Sequence, residues 1–528
     1  MDGPLYDRLV SLDLDHLGDP MVKEIKHPTL GIISYYTGYI IVGMSLFMIF
    51  PALVSTIFGE WNVVLDFLIS LFISLSLGMT MVLFGRNTRL QNGKLMWKHG
   101  FVVASLSWFV LMFLCAIPYL LSGHMNSLLD ATFDVMSGFT TTGVFLLQDL
   151  DHVSVGLNLW RHMLTFIGGQ GMVVLALSFL VREMAGAYKF YVGEGKDVAL
   201  VPNVRGTTQI IWIISLVYLV IGTIVLFING VLIGLNPTNA FFHGLYIFMA
   251  GWSTGGFAPN LQNIMYYHSF SYEIVTIVFF VLGSMNFGLH YAIIKGKKME
   301  FLKNIEMQSF IISSFVGSAI AAVALAKSGL YTDSISLFRR VVYNIVSANT
   351  TTGFGSIFAR QFILEWGPLG MLAITIVMLI GGSACSTAGG FKGLRVGIVV
   401  KAFFADMRKL LTSERRVKIE KYHHIKDMVL DDAIVRTSSM IIFLYLLMFI
   451  GATMLGAYFG YPVVDSMFEA ASISGNVGLS VGITATTMPS AMKVYYILAM
   501  YLGRLEFLSV FALIGVMAQG VKTWLKRA

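Results

Sequence analysis

Four short clusters of small and hydroxyl-bearing residues interrupt an otherwise apolar chain, and each of them ends in glycine. The first lies in SGFTTTGVF, residues 137–145, and the third lies in SANTTTGFG, residues 347–355. Backbone carbonyls can replace the water shell of a cation, and glycine permits the twist that turns successive carbonyls toward one axis. Four such strands around an axis would therefore coordinate a dehydrated cation. The candidate ligands are Thr140, Thr141, Thr142, Gly143, Ser253, Thr254, Gly255, Gly256, Thr350, Thr351, Thr352, Gly353, Gly475, Asn476, Val477 and Gly478.

The four clusters align without gaps on their final glycines. Ten residues before the glycine each copy has an aromatic residue, namely Phe133, Tyr246, Tyr343 and Phe468. Six residues before it each copy has a small residue, namely Ser137, Ala250, Ser347 and Ser472. One cluster alone would be explained by helix packing or by an ordinary loop. Four aligned copies, 97 to 125 residues apart, indicate one structural unit repeated four times.

Each cluster follows a stretch that is apolar or amphipathic but too short to cross a bilayer. Irregular backbone at membrane depth is tolerated only where it is buried in protein or lines a water-filled cavity. We therefore expect a short helix that enters from outside and points its C-terminal end, which carries partial negative charge, toward a cation. Gly255, Asn476 and Val477 break the threonine pattern. The ring would thus be asymmetric in its side chains, although its backbone is expected to be nearly four-fold symmetric.

The composition is that of a membrane protein built from helices. Of 528 residues 56% are hydrophobic and 12% are charged, with a mean hydropathy of +0.76, whereas soluble proteins carry about 25% charged residues. Ten apolar runs are long enough to span a bilayer. We expect an all-α polytopic membrane protein with about ten transmembrane helices. The runs lie near 31–57, 64–84, 101–121, 158–181, 209–234, 270–294, 307–328, 366–395, 434–459 and 490–521.

Positive charge alternates between the connecting segments. The two terminal tails and every second gap contain 28 of the 36 lysines and arginines. The positive-inside rule therefore places both termini and these loops in the cytoplasm. Cytoplasmic loops explain the basic residues, so we expect no nucleic-acid partner. Cys115 and Cys385 lie far apart in apolar segments and indicate neither a disulfide framework nor a metal site. The acidic, polar N-terminus does not resemble a cleaved signal peptide.

A second group of candidate residues lies in the eighth and last spans. Glycines and small polar residues in GGSACSTAGG, residues 381–390, make a poor lipid-facing helix, which indicates either close helix packing or a flexible constriction. Arg504 lies deep in the last span, where arginine faces a partner or a pore. Glu506 is two residues away and lies on another helix face, so the partner of Arg504 is expected elsewhere or is water. The candidate constriction residues are Gly381, Gly382, Ser383, Ser386, Thr387, Gly389, Gly390 and Arg504.

The chain resembles the Trk/Ktr/HKT superfamily of potassium transporters over residues 31–525, and within it the TrkH/TrkG-like membrane subunits. The resemblance rests on TTTGV, STGGF, TTTGF and GNVGLS in that order. It also rests on WRHMLTFIGGQGMVVLAL, GGSACSTAGGFKGLRV and YLGRLEFLSV. It implies that the aligned clusters form a potassium-binding selectivity filter. Since related plant proteins that prefer sodium have serine at the position of Gly143, it also implies a preference for potassium.

The resemblance further implies an organisation, a gate and partners. It implies an intramembrane gating loop at residues 381–390 and a place for Arg504 in the permeation path. It also implies a homodimer in membrane lipid that binds a cytosolic nucleotide-binding RCK-type (TrkA-like) subunit. The glycines of YVGEGKDVAL, residues 191–200, lack the dinucleotide-binding spacing, so any nucleotide control would come from that subunit. The expected division is a tail (1–30), a two-span hairpin (31–98) and four pore repeats (99–207, 208–305, 306–430 and 431–528) in the cytoplasmic membrane of a prokaryote.

Other functions remain open at this stage. The chain could be a Na⁺- or H⁺-coupled potassium symporter, or a less selective K⁺/Na⁺ pathway. A coupled carrier often has an acidic residue within its spans, and Glu506 is the main one here, which weakly favours a channel. GWSTG, residues 251–255, matches the nucleophile pattern of serine hydrolases, with His243 or His290 as a possible base. That pattern requires a strand-to-helix turn, which a chain of helical spans does not supply.

Overall fold

Helices dominate the computed structural model, which describes residues 28–90, 96–171, 204–331, 333–411 and 419–525. The predicted N-terminal tail, apart from its last three residues, and YVGEGKDVAL lie outside these residues. The helices are α1 (Pro28–Phe47), α2 (Ile49–Ile57), α3 (Trp61–Leu90), α4 (Trp97–Leu114), α5 (Ile117–Leu121), α6 (Leu128–Phe139), α7 (Val155–Gln170), α8 (Val204–Leu232), α9 (Pro237–Trp252), α10 (Phe270–Ser284), α11 (Phe287–Ile294), α12 (Glu300–Lys303), α13 (Ile305–Ser328), α14 (Ser334–Asn349), α15 (Ala359–Glu365), α16 (Gly367–Ile380), α17 (Gly393–Leu410), α18 (Asp432–Tyr458), α19 (Val463–Ser474), α20 (Ser490–Arg504) and α21 (Leu508–Leu525).

The all-α membrane fold expected from the composition is confirmed. Six helices of the described residues are long and apolar enough to cross a membrane, or up to eight spans if each of two sharply bent pairs counts as one. The bent pairs are α10 with α11 (102°) and α20 with α21 (112°). The predicted spans at 158–181 and 366–395 correspond to shorter helices, α7 and α16. The total of ten spans therefore stays a prediction, since residues 172–203 are not described.

The strands among the described residues form one small hairpin in the predicted cytoplasmic loop. Strand β1 (Lys421–His424) pairs antiparallel with β2 (Lys426–Val429). The hairpin contacts the helical part of the chain through His423, whose Nε2 lies 2.7 Å from the Glu300 carboxylate. Hydrogen bonds to Asp427 and to Glu300 raise the pKa of His423. Charge complementarity thus fixes the hairpin near the start of α13.

The first two long segments pack against each other through glycine. A Cβ placed on Gly85 of α3 would lie 2.3 Å from the carbonyl oxygen of Gly31 in α1. At Gly38 of α1 it would lie 2.7 Å from the carbonyl oxygen of Gly78. Small residues of this kind let helix backbones approach closely within a membrane. The N-terminal hairpin is therefore a tightly packed unit.

Glu60 joins this hairpin to the rest of the chain. Its carboxylate accepts hydrogen bonds from the backbone N–H groups of Val155 (2.8 Å) and Gly156 (3.2 Å) and from the Ser55 hydroxyl (3.0 Å). Those N–H groups begin α7, where a helix has unpaired donors and partial positive charge. The carboxylate thus caps a helix that also borders the candidate site.

Replacing Glu60 with alanine is expected to lower the thermal stability of the protein, because two helix-end donors lose their acceptor. We expect a loss of about 1–3 kcal/mol, measured by the melting of tryptophan fluorescence in detergent micelles. Asp406→Ala is the matched control, since its ion pair with Lys409 is exposed and such pairs contribute about 0–1 kcal/mol. Equal melting temperatures for the two variants would contradict this role of Glu60.

The four short helices α6, α9, α14 and α19 stand in a closed circle. Each packs against a helix of the preceding copy: α7 contacts α9, α10 contacts α14, α16 contacts α19, and α20 contacts α6. The last contact joins the end of the chain to its first short helix. Polar bonds accompany three contacts: Tyr246 Oη to the Val155 carbonyl (3.0 Å), Thr276 Oγ1 with Tyr343 Oη (3.0 Å), and Lys493 Nζ to Asp130 Oδ1 (2.6 Å).

Candidate cation pathway

All four short helices end in the same hydrogen-bonded turn. The N–H of the third cluster residue donates to the carbonyl of the small residue that lies six positions before the glycine. The N–H of the second cluster residue donates to the carbonyl of the residue that directly follows this small residue. This is the pattern of a Schellman C-cap. The longer bonds join Thr142 to Ser137 (2.8 Å), Gly255 to Ala250 (2.8 Å), Thr352 to Ser347 (2.9 Å) and Val477 to Ser472 (2.8 Å). The small residues of the sequence alignment thus lie in the final turn of each helix.

The second residue of each cluster adopts a left-handed backbone. The φ angles are 54° at Thr141, 50° at Thr254, 55° at Thr351 and 52° at Asn476. Left-handed φ is rare for side chains other than glycine and asparagine, and it is strained for β-branched threonine. The sequence assigned the twist of the loop to the glycine alone. The structure places two left-handed positions in each loop, the second residue and the glycine.

The four glycines close a ring, defined here as residues 140–143, 253–256, 350–353 and 475–478. Each glycine lies against the carbonyl that precedes the glycine of the next copy. The distance from an added Cβ to the neighbouring carbonyl oxygen is short in all four copies. It would be 2.3 Å from Gly143 to the Gly255 oxygen, 2.3 Å from Gly256 to the Thr352 oxygen, 2.0 Å from Gly353 to the Val477 oxygen, and 2.1 Å from Gly478 to the Thr142 oxygen. No side chain fits at such distances. The sixteen candidate ligands therefore come together in this glycine ring.

Hydroxyl groups of the ring stabilise its turns. The first cluster residues Thr140, Ser253 and Thr350 donate back to carbonyls of their own helices. In the first and third copies the hydroxyls of the first and third residues lie 2.8 Å apart. Asn476 Nδ2 donates to Thr142 Oγ1 at 2.9 Å, which joins the fourth copy to the first. The asparagine that breaks the threonine pattern in the fourth copy thus makes a contact between copies.

Residues 381–392, between α16 and α17, form a loop packed against the ring. The loop touches the left-handed residue of all four copies. The Thr141 hydroxyl donates to the Thr387 carbonyl (3.4 Å), Thr254 Oγ1 lies 3.1 Å from Thr387 Oγ1, the Gly389 N–H donates to Thr351 Oγ1 (2.7 Å), and a Cβ on Gly389 would lie 2.9 Å from the Asn476 Cβ. The small residues of this loop are therefore closely packed, as one interpretation of the sequence expected, and they also lie directly against the ring.

Two buried side chains that the sequence analysis did not select hold the loop in place. Glu306, at the start of α13, accepts a hydrogen bond from the Ala384 N–H (2.6 Å). Asn286 donates to the Ala384 carbonyl (2.8 Å) and to Glu306 (3.4 Å). His424 Nδ1 of the cytoplasmic hairpin lies 3.6 Å from Glu306. The order of residues along the chain carries no signal for these contacts, which join positions between 20 and 118 residues apart.

Arg504 lies where the loop meets the first copy. Its guanidinium donates to the Thr387 carbonyl of the loop and to the carbonyls of Gly168 and Gly169 (both 2.9 Å) near the end of α7. Backbone carbonyls are thus partners of this arginine. Glu506 pairs instead with Arg395 of α17, in keeping with the expectation that it does not pair with its near neighbour.

Several buried carboxylates lie outside the interiors of the apolar runs, where the sequence pattern did not reveal them. Asp134 and Glu469 lie in the short helices, and Glu306 lies at the start of a long one; all three are at most 1% exposed. Each accepts backbone N–H groups. The scarcity of acids therefore no longer favours a channel over a coupled carrier.

Ser253 of the GWSTG sequence does not lie at a strand-to-helix turn. It is the C-cap of α9, and its hydroxyl donates to the carbonyls of Met249 and Ala250. His290 Nε2 bonds to the Leu282 carbonyl (2.9 Å). This is the position of a helix cap, and the geometry of a hydrolase nucleophile is not formed.

A circle of short helices inside a helical membrane protein, with their C-terminal ends at one ring, is an arrangement that suits a cation transport protein. The family model described as TrkH, cation transport protein, matches residues 66–524, and the chain belongs to this family. It is 30% identical to an uncharacterized cation transporter of Methanocaldococcus jannaschii, over 91% of this chain and 94% of the relative. It is 26% identical to the Trk system potassium uptake protein TrkH of Escherichia coli, over 91% and 97%.

The fold has also been seen in a crystal structure. The potassium transporter TrkH from Vibrio parahaemolyticus superposes with a TM-score of 0.76 at 24% identity, covering 93% of this chain and 98% of that one. Membership of the TrkH family makes the chain a cation transport protein, a class distinct from enzymes.

Proposed function

We propose that the chain takes up potassium across the cytoplasmic membrane, with the glycine ring as its selectivity filter. The observation that carries the proposal is the closed cycle of contacts in which each ring glycine meets a carbonyl of the next copy. Carbonyl oxygens from four loops arranged in such a cycle would replace the hydration shell of a cation. The partial negative charge at the C-terminal ends of four helices favours the same ion.

Potassium is the favoured ion for two reasons. All four copies have glycine at the ring position, which keeps side chains out of the ring. Several relatives are named as potassium uptake proteins of the Trk system. The proposed ligands are backbone oxygens of residues 140–143, 253–256, 350–353 and 475–478.

The loop at 381–392 and Arg504 are the proposed gate. The loop lies against every copy of the ring, and the arginine holds it to α7 with a positive charge that opposes cations. The resemblance supports two further parts of the proposal, regulation by a cytosolic RCK-type subunit and assembly as a homodimer in membrane lipid. The basic loops support a cytoplasmic position for both termini.

The proposal is tested by reversal potentials in proteoliposomes with the K⁺, Na⁺ and H⁺ gradients varied one at a time. We expect the potential to follow the K⁺ gradient by about 59 mV per tenfold change and to follow Na⁺ weakly. Liposomes without protein are the control. A potential that ignores K⁺ would refute the proposal, whereas a shift with the H⁺ or Na⁺ gradient at fixed K⁺ would indicate coupled transport.

A further inference from the structure

In three of the four copies, the segment that leaves the ring glycine is held by the short helix of its own copy. A side chain nine residues before the glycine accepts a hydrogen bond from the N–H three residues after it. The pairs are Asp134 with the Leu146 N–H (2.6 Å), Asn344 with the Ser356 N–H (3.3 Å), and Glu469 with the Val481 N–H (3.1 Å). The same two positions are thus joined in the first, third and fourth copies, although aspartate, asparagine and glutamate differ in charge and length.

The second copy lacks both partners of this bond. Nine residues before Gly256 stands Ile247, which offers no acceptor, and three residues after it stands Pro259, which has no N–H. The carbonyls of Ala258 and Pro259 instead accept hydrogen bonds from Arg161 (3.4 Å) and Asn158 (3.5 Å) of α7. The donor and the acceptor have therefore disappeared together.

This joint absence has a physical reason. Asp134, Asn344 and Glu469 are fully buried at 0% exposure, so water cannot take the place of a lost partner. A buried N–H without an acceptor is energetically costly. Proline at the donor position removes that cost and makes an apolar helix residue acceptable. The paired change indicates that this bond, rather than either residue alone, matters to the structure.

In the first, third and fourth copies the bond also joins the two limbs of the ring loop. One limb is the end of the short helix, the other is the segment beyond the glycine, and the ring residues lie between them. Fixing both limbs fixes how far the carbonyls reach toward the axis. The size and flexibility of a carbonyl ring are what discriminate between cations that differ in radius.

We propose that Asp134, Asn344 and Glu469 are positioning residues that set the width of the glycine ring and hence its preference for K⁺ over Na⁺. Ile247 and Pro259 are the equivalent pair of the second copy, in which the limb is held from α7. The inference rests on the proposed function of the ring as a potassium filter.

The third copy can be converted into the form of the second. Asn344→Ile removes the acceptor of the Ser356 N–H and leaves no buried charge unpaired. Asn344→Ile combined with Ser356→Pro reproduces Ile247 and Pro259 of the second copy. The measurement is the K⁺/Na⁺ permeability ratio from reversal potentials in proteoliposomes. We expect Asn344→Ile to lower the ratio about tenfold, equivalent to about 1.4 kcal/mol, and the double variant to recover most of that loss.

Thr276→Val is the matched control. It removes a buried hydrogen bond to Tyr343, the neighbour of Asn344 on the same short helix, without touching the limb beyond the glycine. We expect it to lower the melting temperature and to leave the ratio unchanged. An unchanged ratio in Asn344→Ile, or a double variant no better than the single one, overturns the inference. A parent protein without K⁺ preference would instead overturn the proposed function.

A second pair of variants tests the inference if Asn344→Ile does not fold. Glu469→Gln keeps an oxygen acceptor, whereas Glu469→Met has a similar length and none. Glu469 also accepts the N–H of Ile483 (3.1 Å) and the hydroxyl of Thr484 (3.0 Å), so the effect should be at least as large. We expect the ratio to fall with methionine and to stay near the parent value with glutamine; equal ratios in the two variants contradict the role.

Discussion

Replacing Gly353 with alanine is expected to abolish K⁺ uptake. The new Cβ would lie 2.0 Å from the Val477 carbonyl oxygen, a distance that no side chain tolerates. The φ of +77° at this position is also unfavourable for alanine. The ring must open between the third and fourth copies, which displaces a carbonyl ligand. We expect uptake to fall by about 100-fold or more, equivalent to about 2.7 kcal/mol, measured by rescue of a K⁺-uptake-deficient bacterial strain and by flux in proteoliposomes.

Gly296→Ala separates this clash from backbone strain. Gly296 has a φ of +89°, and a Cβ there would meet nothing within 4 Å. The control variant therefore carries the same unfavourable backbone angle in open space and should transport at nearly the parent rate. If both variants transport equally well at equal membrane abundance, the closed ring is not needed for uptake.

Replacing Arg504 with alanine is expected to raise K⁺ flux. The loop at 381–392 loses a bond at Thr387, the bridge to Gly168 and Gly169 is broken, and a positive charge leaves the region beside the ring. At an effective dielectric constant of 20, two unit charges 4 Å apart interact by about 4 kcal/mol, so even a more distant charge opposes an entering cation. We expect about a tenfold increase, measured by ⁸⁶Rb⁺ uptake into proteoliposomes.

Arg504→Lys and Arg360→Ala divide this effect into its parts. Lysine keeps the charge, but its compact ammonium lacks the planar fork that lets arginine bond three carbonyls at once, so an intermediate flux is expected. Arg360→Ala removes one positive charge from the start of α15, away from the described contacts of the loop, and should leave the flux unchanged. Equal flux in Arg504→Ala and the parent would contradict a gating role.

Alignment of the sequence with itself located the residues that the structure brings into the ring. The glycines, the small residues and the aromatic residues recur at fixed offsets because each copy ends a helix and turns the chain in the same way. Interactions between residues a few positions apart therefore produce a repeated pattern in the sequence. The small residue at Ser137, for example, marks the carbonyl that accepts the bond from Thr142.

Unusual backbone angles and contacts between residues far apart in the sequence left no such pattern. Thr141 is left-handed although threonine has no preference for that conformation, because the turn and the neighbouring loop impose it. Glu306 holds Ala384 from 78 residues away, and nothing in the spacing of the two residues indicates the contact. Asparagine at position 476, which tolerates left-handed φ, was the one residue type that could have revealed the second twisted position.

The circle of four short helices comes from one chain, and that has a consequence for stoichiometry. In an assembly of four identical subunits, a loop like 381–392 would be present four times, and four copies could not all lie against the same ring. Four arginines like Arg504 would likewise bring four positive charges together and repel one another. Fusing the quarters into a single polypeptide allows one loop and one arginine to serve a pore with near four-fold symmetry. Once its quarters were joined, such a pore could acquire elements that occur singly.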